Sequence, residues 1–209
     1  MSTSSNLDVW RDTLAYQPLS LGLIALVASI ALALAFNATK DHIAAAEQRD
    51  MQMSLAQVLP EGFADNDLLA DVRELTNAKG KPVKVHVAKQ AGVGVGAVFQ
   101  VAERGYAGDI VVLMAVDKEG RVLGARVLKH IETPGLGDKI EIARHPWIKS
   151  FDGKSLADPL PEKWGVKKDG GIFDQFAGAT ITPRAVVKSV KGGLEFFAAH
   201  RAEILDGGK

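Results

Sequence analysis

The 209-residue chain is 47% apolar and 24% charged, a globular rather than a disordered composition with room for one moderate domain and accessories. Formal net charge is zero, so nothing in the charge balance directs the chain to nucleic acid. Cysteine is absent, which excludes disulfides, thiol chemistry and iron–sulfur ligation by this chain.

Residues 1–17 form an N-terminal segment containing Trp10, an aromatic ring suited to a membrane interface. Between Pro18 and Asn37 no charged residue occurs, and the uncharged run just reaches the length of a membrane-spanning helix. We assign 18–36 as a single transmembrane anchor. A cleaved signal peptide is the competing reading, since Ala33-Leu34-Ala35 has the small-x-small form of a cleavage site. Arg11 lies on one flank and Lys40 and Arg49 on the other, so charge bias alone favours a cytoplasmic domain. Residues 37–58 are rich in Ala, Glu, Gln and Met and lack Gly and Pro, which predicts a helical stalk continuing out of the bilayer.

Leu59-Pro60-Glu61-Gly62 ends that helix, and a domain spanning 59–209 begins there. Leu68, Leu69, Val72 and Leu75 predict a second, short helix over 65–76. Four β-branched, alternating segments follow at 83–88, 93–102, 110–116 and 122–129, the last two joined by a hairpin turn at Asp117-Lys118-Glu119-Gly120. They predict an antiparallel sheet within one α+β domain. Gly92, Gly94 and Gly96 signal a bulge or the close approach of another backbone. They do not form a phosphate loop, since no Lys-Ser/Thr and no helix follow.

Glu132-Thr133-Pro134-Gly135-Leu136-Gly137-Asp138-Lys139 reads as a fixed, exposed loop that allows close backbone approach to a flat ligand, or else as a plain connection into a helix at 138–143. Val166-Lys167-Lys168-Asp169-Gly170-Gly171 reads as a strand end and turn. Of its two lysines at most one would reach a phosphate, because neighbours on a strand face opposite ways. Beyond it, Asp174-Gln-Phe-Ala177-Gly178-Ala179-Thr180-Ile-Thr182-Pro183 precedes a helix marked by Val186, Val187, Val190, Leu194 and Phe197. Thr182 is the expected N-cap and Pro183 the first helical residue, which puts the Thr180 hydroxyl at the helix mouth, where unpaired N–H groups and the macrodipole favour an anion. Trp147 and Trp164 are expected in the core or a groove. The five histidines show no metal-ligand spacing and no metal site is assigned; no Ser-His-Asp or paired-carboxylate arrangement supports hydrolysis.

The Asp174 to Thr180 segment resembles the flavinylation motif of the FMN-binding domain family, in which an Asp precedes a Ser/Thr-Gly-Ala-Thr group. The resemblance matches Asp174, Gly178 and Ala179 to the motif that a flavin transferase recognises, and Thr180 to the threonine that carries FMN as a covalent phosphoester. Ala177 stands where the family has Ser or Thr. The Glu-Thr-Pro-Gly-Leu-Gly segment resembles the stretch that packs beside the flavin in this family, implying that Thr133, Gly135, Leu136 and Gly137 line the ring pocket. It implies lower-ranking cofactor contacts from Lys167, Lys168, Gly178, Ala179 and Thr182.

Taken together, the motifs, their order and the anchor resemble the flavin-bearing subunits of Rnf-type ion-translocating electron-transport complexes. That implies a single-pass bacterial inner-membrane protein with its domain in the periplasm, against the charge bias. It would relay electrons among the other subunits of a complex coupling ferredoxin/NAD electron transfer to ion translocation, as an electron carrier within a translocase. Two alternatives stay open: the C subunit of the sodium-pumping NADH:quinone reductase, and a membrane-tethered assembly module without cofactor.

Overall fold

The computed structural model describes residues 16–206; Trp10 and Arg11, read above as membrane-proximal, lie outside them. The first element, α1, is one helix over Tyr16–Val58. Its N-terminal part is apolar on every side, with Leu21, Leu32, Leu34 and Phe36 all exposed, and it is long and apolar enough to cross a membrane. Ser29 and Thr39 donate their hydroxyls to the carbonyls of Ala25 and Ala35 at 2.7 and 2.8 Å, so these polar atoms are satisfied within the helix. By contact density the chain divides into residues 1–50 and 51–209.

In the second unit five strands form a meander in which every strand pairs antiparallel with its neighbour in sequence: β1 Val72–Thr76, β2 Pro82–Gln90, β3 Val93–Arg104, β4 Asp109–Asp117 and β5 Val122–Lys129. The four expected strands are present, and the α+β class with an antiparallel sheet holds. Period-two alternation divides the sheet's side chains between two faces. Ala97, Phe99, Val112, Met114 and Val116 share a core with the long helix α2, Ile181–Asp206, while Val98, Leu113 and Ala115 pack against Leu55 and Val58 from the end of α1. All five apolar positions used to predict α2 are buried.

The turn at 117–120 closes as expected, with the Gly120 N–H on the Asp117 carbonyl at 3.0 Å and Asp117 Oδ1 accepting from the N–H groups of Glu119 and Arg121. Both readings of the glycine run also hold. The β2–β3 ladder shifts register between Ala88 and Lys89, opposite Gly94 and Gly96, and a Cβ on Gly94 would lie 2.7 Å from the Leu205 carbonyl oxygen. Gly124 has the same function under α1, because a Cβ there would meet the Val58 carbonyl oxygen at 2.7 Å. Gly124→Ala is expected to cost about 1–3 kcal/mol by forcing helix and sheet apart, measured as a lower urea midpoint.

Three expectations are corrected. Residues 65–76 are not a helix: the chain turns and then adds β1 to the sheet edge. Asn66 and Asp67 explain it. Asn66 bonds Val87 O at 2.9 Å and receives Lys89 N–H at 2.8 Å, and Asp67 Oδ1 accepts Leu69 N–H, so side chains satisfy the backbone groups a helix would have used. The helix expected over 138–143 is only a 3-10 turn, Asp138–Ile140. The strand end expected at 166–171 is a single bridge, Val166 to Phe173, followed by a 3-10 turn Lys167–Asp169 that ends on left-handed Gly170.

Candidate functional site

The site grows from the first turn of α2. This helix starts at Ile181, and the Thr180 carbonyl accepts the Arg184 N–H at 3.4 Å, so Thr180 rather than Thr182 stands at the N-cap. Thr182 lies inside the helix, buried, and donates its hydroxyl to Glu132 Oε2; this corrects its reading as the cap. Pro183 has no N–H and the Arg184 N–H is spent on Thr180, which leaves the N–H groups of Ile181 and Thr182 without an intrahelical acceptor. The Thr180 side chain is half-buried, and its hydroxyl has no hydrogen-bond partner among the described residues.

In front of the cap, Gly178 takes a left-handed φ of +78° after a turn in which Ala179 N–H bonds the Phe176 carbonyl at 3.2 Å. Asp174, Ala177 and Gly178 are exposed and Ala179 is half-buried. The segment is held from below by Trp147, whose indole N–H donates to the Asp174 carbonyl at 2.9 Å and whose ring meets Phe176 edge-on at 5.1 Å. The other tryptophan, Trp164, is buried against Phe151 and Phe173. Both tryptophans are therefore core residues, as expected.

The Thr133–Gly137 loop comes to the same place. Its turn closes through Leu136 and Gly137 N–H groups on the Thr133 carbonyl, at 3.2 and 3.0 Å, around left-handed Gly135. A Cβ on Gly178 would touch Leu136 Cδ2 at 3.6 Å, and one on Gly137 would press on Glu132 and on the Thr182 hydroxyl at 3.0 Å. Two segments more than 40 residues apart in sequence thus form one rim. Thr133, Gly135 and Leu136 are exposed on it, Gly137 is buried beneath, and Ile181 continues it as an exposed apolar side chain.

The lysine pair sits differently. Lys167 Nζ pairs with the Asp174 carboxylate at 2.6 Å, and the Lys168 N–H bonds the Gln175 side chain at 3.3 Å, so the 3-10 turn is stitched to the segment leading into the cap. Beside them Arg184, on the first turns of α2, grips Asp169 with Nε and Nη2, both at 2.6 Å. Neither this fork nor the buried Glu132 was anticipated from sequence. Arg184 had a weak signal, a cation near the opening of a helix with an aspartate upstream; Glu132 had none apart from its motif.

Hydrogen bonding and charge from Arg184 hold the Asp169 carboxyl below the usual carboxylate range. A depressed native value stabilises the fold above the unfolded value, and that contribution disappears as pH falls through the native one. Arg184→Gln should raise the Asp169 carboxyl titration toward the ordinary aspartate range, followed by carboxyl carbon shifts.

An exposed rim of small and apolar residues around an unpartnered hydroxyl at a helix terminus fits a flat cofactor carrying a phosphate. The class follows from the comparison of families: the FMN-binding domain matches residues 105–195, from the β3–β4 turn into α2. More narrowly, the chain belongs to the family of the G subunit of the ion-translocating oxidoreductase complex. It is 53% identical over 196 residues to that protein of Cereibacter sphaeroides, covering 94% of this chain and 90% of the relative. It is 45% identical over 201 residues to the one of Pseudomonas aeruginosa, covering 93% and 94%. Among solved structures, NqrC of Shewanella oneidensis is 23% identical over 67% of this chain and 74% of its own, with a TM-score of 0.47.

Proposed function

We propose that the chain is the membrane-anchored flavoprotein component of an Rnf-type ion-translocating oxidoreductase complex, and that Thr180 carries FMN through a phosphoester. The observation that carries the attachment is the Thr180 hydroxyl, unpartnered at the N-cap of α2 behind the opening made by Gly178. Bound there, FMN supplies the one- and two-electron redox chemistry that the chain's own residues lack. The chain's part is to hold and orient. The free N–H groups of Ile181 and Thr182 would hold the phosphate, Leu136 and the backbone of Gly135 and Gly137 would border the ring, and Lys168, with Lys167 already paired to Asp174, would add positive charge nearby.

Attachment forms a bond from Thr180 Oγ1 to phosphorus while the hydroxyl proton is lost. Condensing free FMN with an alcohol in water is unfavourable, so the donor belongs to the phosphoanhydride class, a flavin dinucleotide, whose anhydride bond breaks to release a nucleoside monophosphate. No side chain hydrogen-bonds the Thr180 hydroxyl among the described residues, which fits transfer by a separate flavin transferase that reads exposed Asp174 and Gly178 and half-buried Ala179. The apolar segment of α1 serves as the single-pass anchor in the inner membrane, with the domain in the periplasm, where a covalent link prevents loss of the cofactor. Electrons pass through this protein to and from the other members of the complex, between ferredoxin and NAD.

A denaturing gel of the full chain made together with its flavin transferase tests the attachment. A fluorescent band is expected, and a dark band from flavin-replete cells would favour the cofactor-free module instead. For orientation, a reporter active only in the periplasm, fused after Lys209, should be active; an inactive fusion would place the domain in the cytoplasm, as the charge bias has it.

A further inference from the structure

We infer that Glu132 is a positioning residue for the flavin site: through Thr182 it sets the direction in which the Thr180 hydroxyl leaves α2. The inference rests on Thr180 as the attachment residue.

Glu132 is 5% exposed. Its Oε1 accepts the Ala107 N–H at 3.0 Å, from the β3–β4 turn, and its Oε2 accepts the Thr182 hydroxyl. No lysine, arginine or histidine forms an ion pair with it among the described residues. Burying a carboxylate with only neutral donors is costly, and an apolar side chain of similar size would serve stability as well or better. The fold nevertheless makes room for it. A Cβ on Gly105 would lie 2.6 Å from Oε1, and one on Gly137 would lie 3.2 Å from Oε2, so two positions give up side chains to admit this carboxylate.

The backbone of Glu132 is fixed as well. Its N–H donates to His130 Nδ1 at 3.1 Å, which makes Nε2 the protonated nitrogen facing Glu141 Oε1 at 2.6 Å. A rigid carboxylate therefore joins three segments: the 105–108 turn, the Thr133–Gly137 loop and the first turn of α2. Thr182 follows Thr180 by two residues, so tying down its side chain fixes the rotation of the helix opening and with it the attacking hydroxyl. Small angular errors at a reacting atom cost large factors in rate.

The test follows flavin transfer onto the full chain in detergent with purified flavin transferase and a flavin dinucleotide, reading bound fluorescence against time. Thr182→Val removes only the donor, and Glu132→Gln replaces one acceptor oxygen with an NH2 group. Both should load at least tenfold slower than wild type at saturating concentrations, with the apparent KM for the chain and the circular dichroism unchanged. Thr182→Ser, which keeps the hydroxyl, should recover the rate to within threefold. Wild-type rates in Thr182→Val and Glu132→Gln, with Thr180→Val still dark, would overturn the positioning role and leave the attachment standing. Slow loading that Thr182→Ser does not recover, or that follows lost circular dichroism, would also overturn it as structural damage. A dark wild type would remove both readings.

Discussion

On the proposed attachment, Thr180→Val should lose all covalent flavin and Thr180→Ser should keep it, the largest functional effect expected from a single atom in this chain. Valine matches threonine in shape and removes only the oxygen proposed to form the ester. Nothing else should move, because the Thr180 hydroxyl bonds no other group among the described residues, whereas its carbonyl, which accepts the Arg184 N–H, is untouched by the change. The measurement is fluorescence of the denatured band together with the mass of the peptide carrying Thr180. Persistence of flavin in Thr180→Val would move the attachment elsewhere; Thr182 is an unsuitable substitute, since its hydroxyl is buried against Glu132. Thr182 variants should therefore change how fast the chain is loaded and leave the mass shift on Thr180.

Phe99→Ala should cost about 3–5 kcal/mol, the largest loss of stability expected from one core substitution here. Phe99 is fully buried in the middle of β3, and its ring meets Phe196 of α2 edge-on at 5.4 Å. It also lies where the helix comes closest to the sheet: a Cβ on Gly193 would be 2.3 Å from Met114 Sδ and 3.3 Å from the Phe99 ring. So close an approach gives the surroundings little freedom to collapse into the space left by the ring. Urea unfolding in detergent should show a lower midpoint with an unchanged slope for the residues 51–209 transition. A loss below about 1 kcal/mol would mean that α2 settles into the vacated volume.

The sheet was legible because Val, Ile and Phe alternate along β2 to β5 and a four-residue turn signal separates β4 from β5. α2 was legible because its apolar positions recur at helical spacing. β1 was not, because Leu68, Leu69, Val72 and Leu75 mimic a helical face, and only the bonds of Asn66 to Val87 and Lys89, across a distance in sequence, decide against it. Of the site, the Thr133–Gly137 loop and the Gly178–Thr180 turn could be named from their motifs, and the structure brings them side by side. The exchange of roles between Thr180 and Thr182 could not be read. Both are good caps by residue type, and what separates them is Glu132, whose place beside Thr182 depends on the fold of three separate segments. The Arg184–Asp169 fork escaped for the same reason.

The meander has a consequence for the order of events after synthesis. Each strand closes on the one just made, through short connections, so the sheet needs little loop entropy to form. Docking α2 across β3 closes a far longer stretch of chain, and the Glu132 tie needs both the early 105–108 turn and the late helix opening. Competence for the proposed modification would therefore be acquired at the end of folding, since an immature chain presents the threonine without its frame. Under the proposed attachment, such an arrangement would act as a proofreading step, in which a costly cofactor is committed only to chains that have already folded.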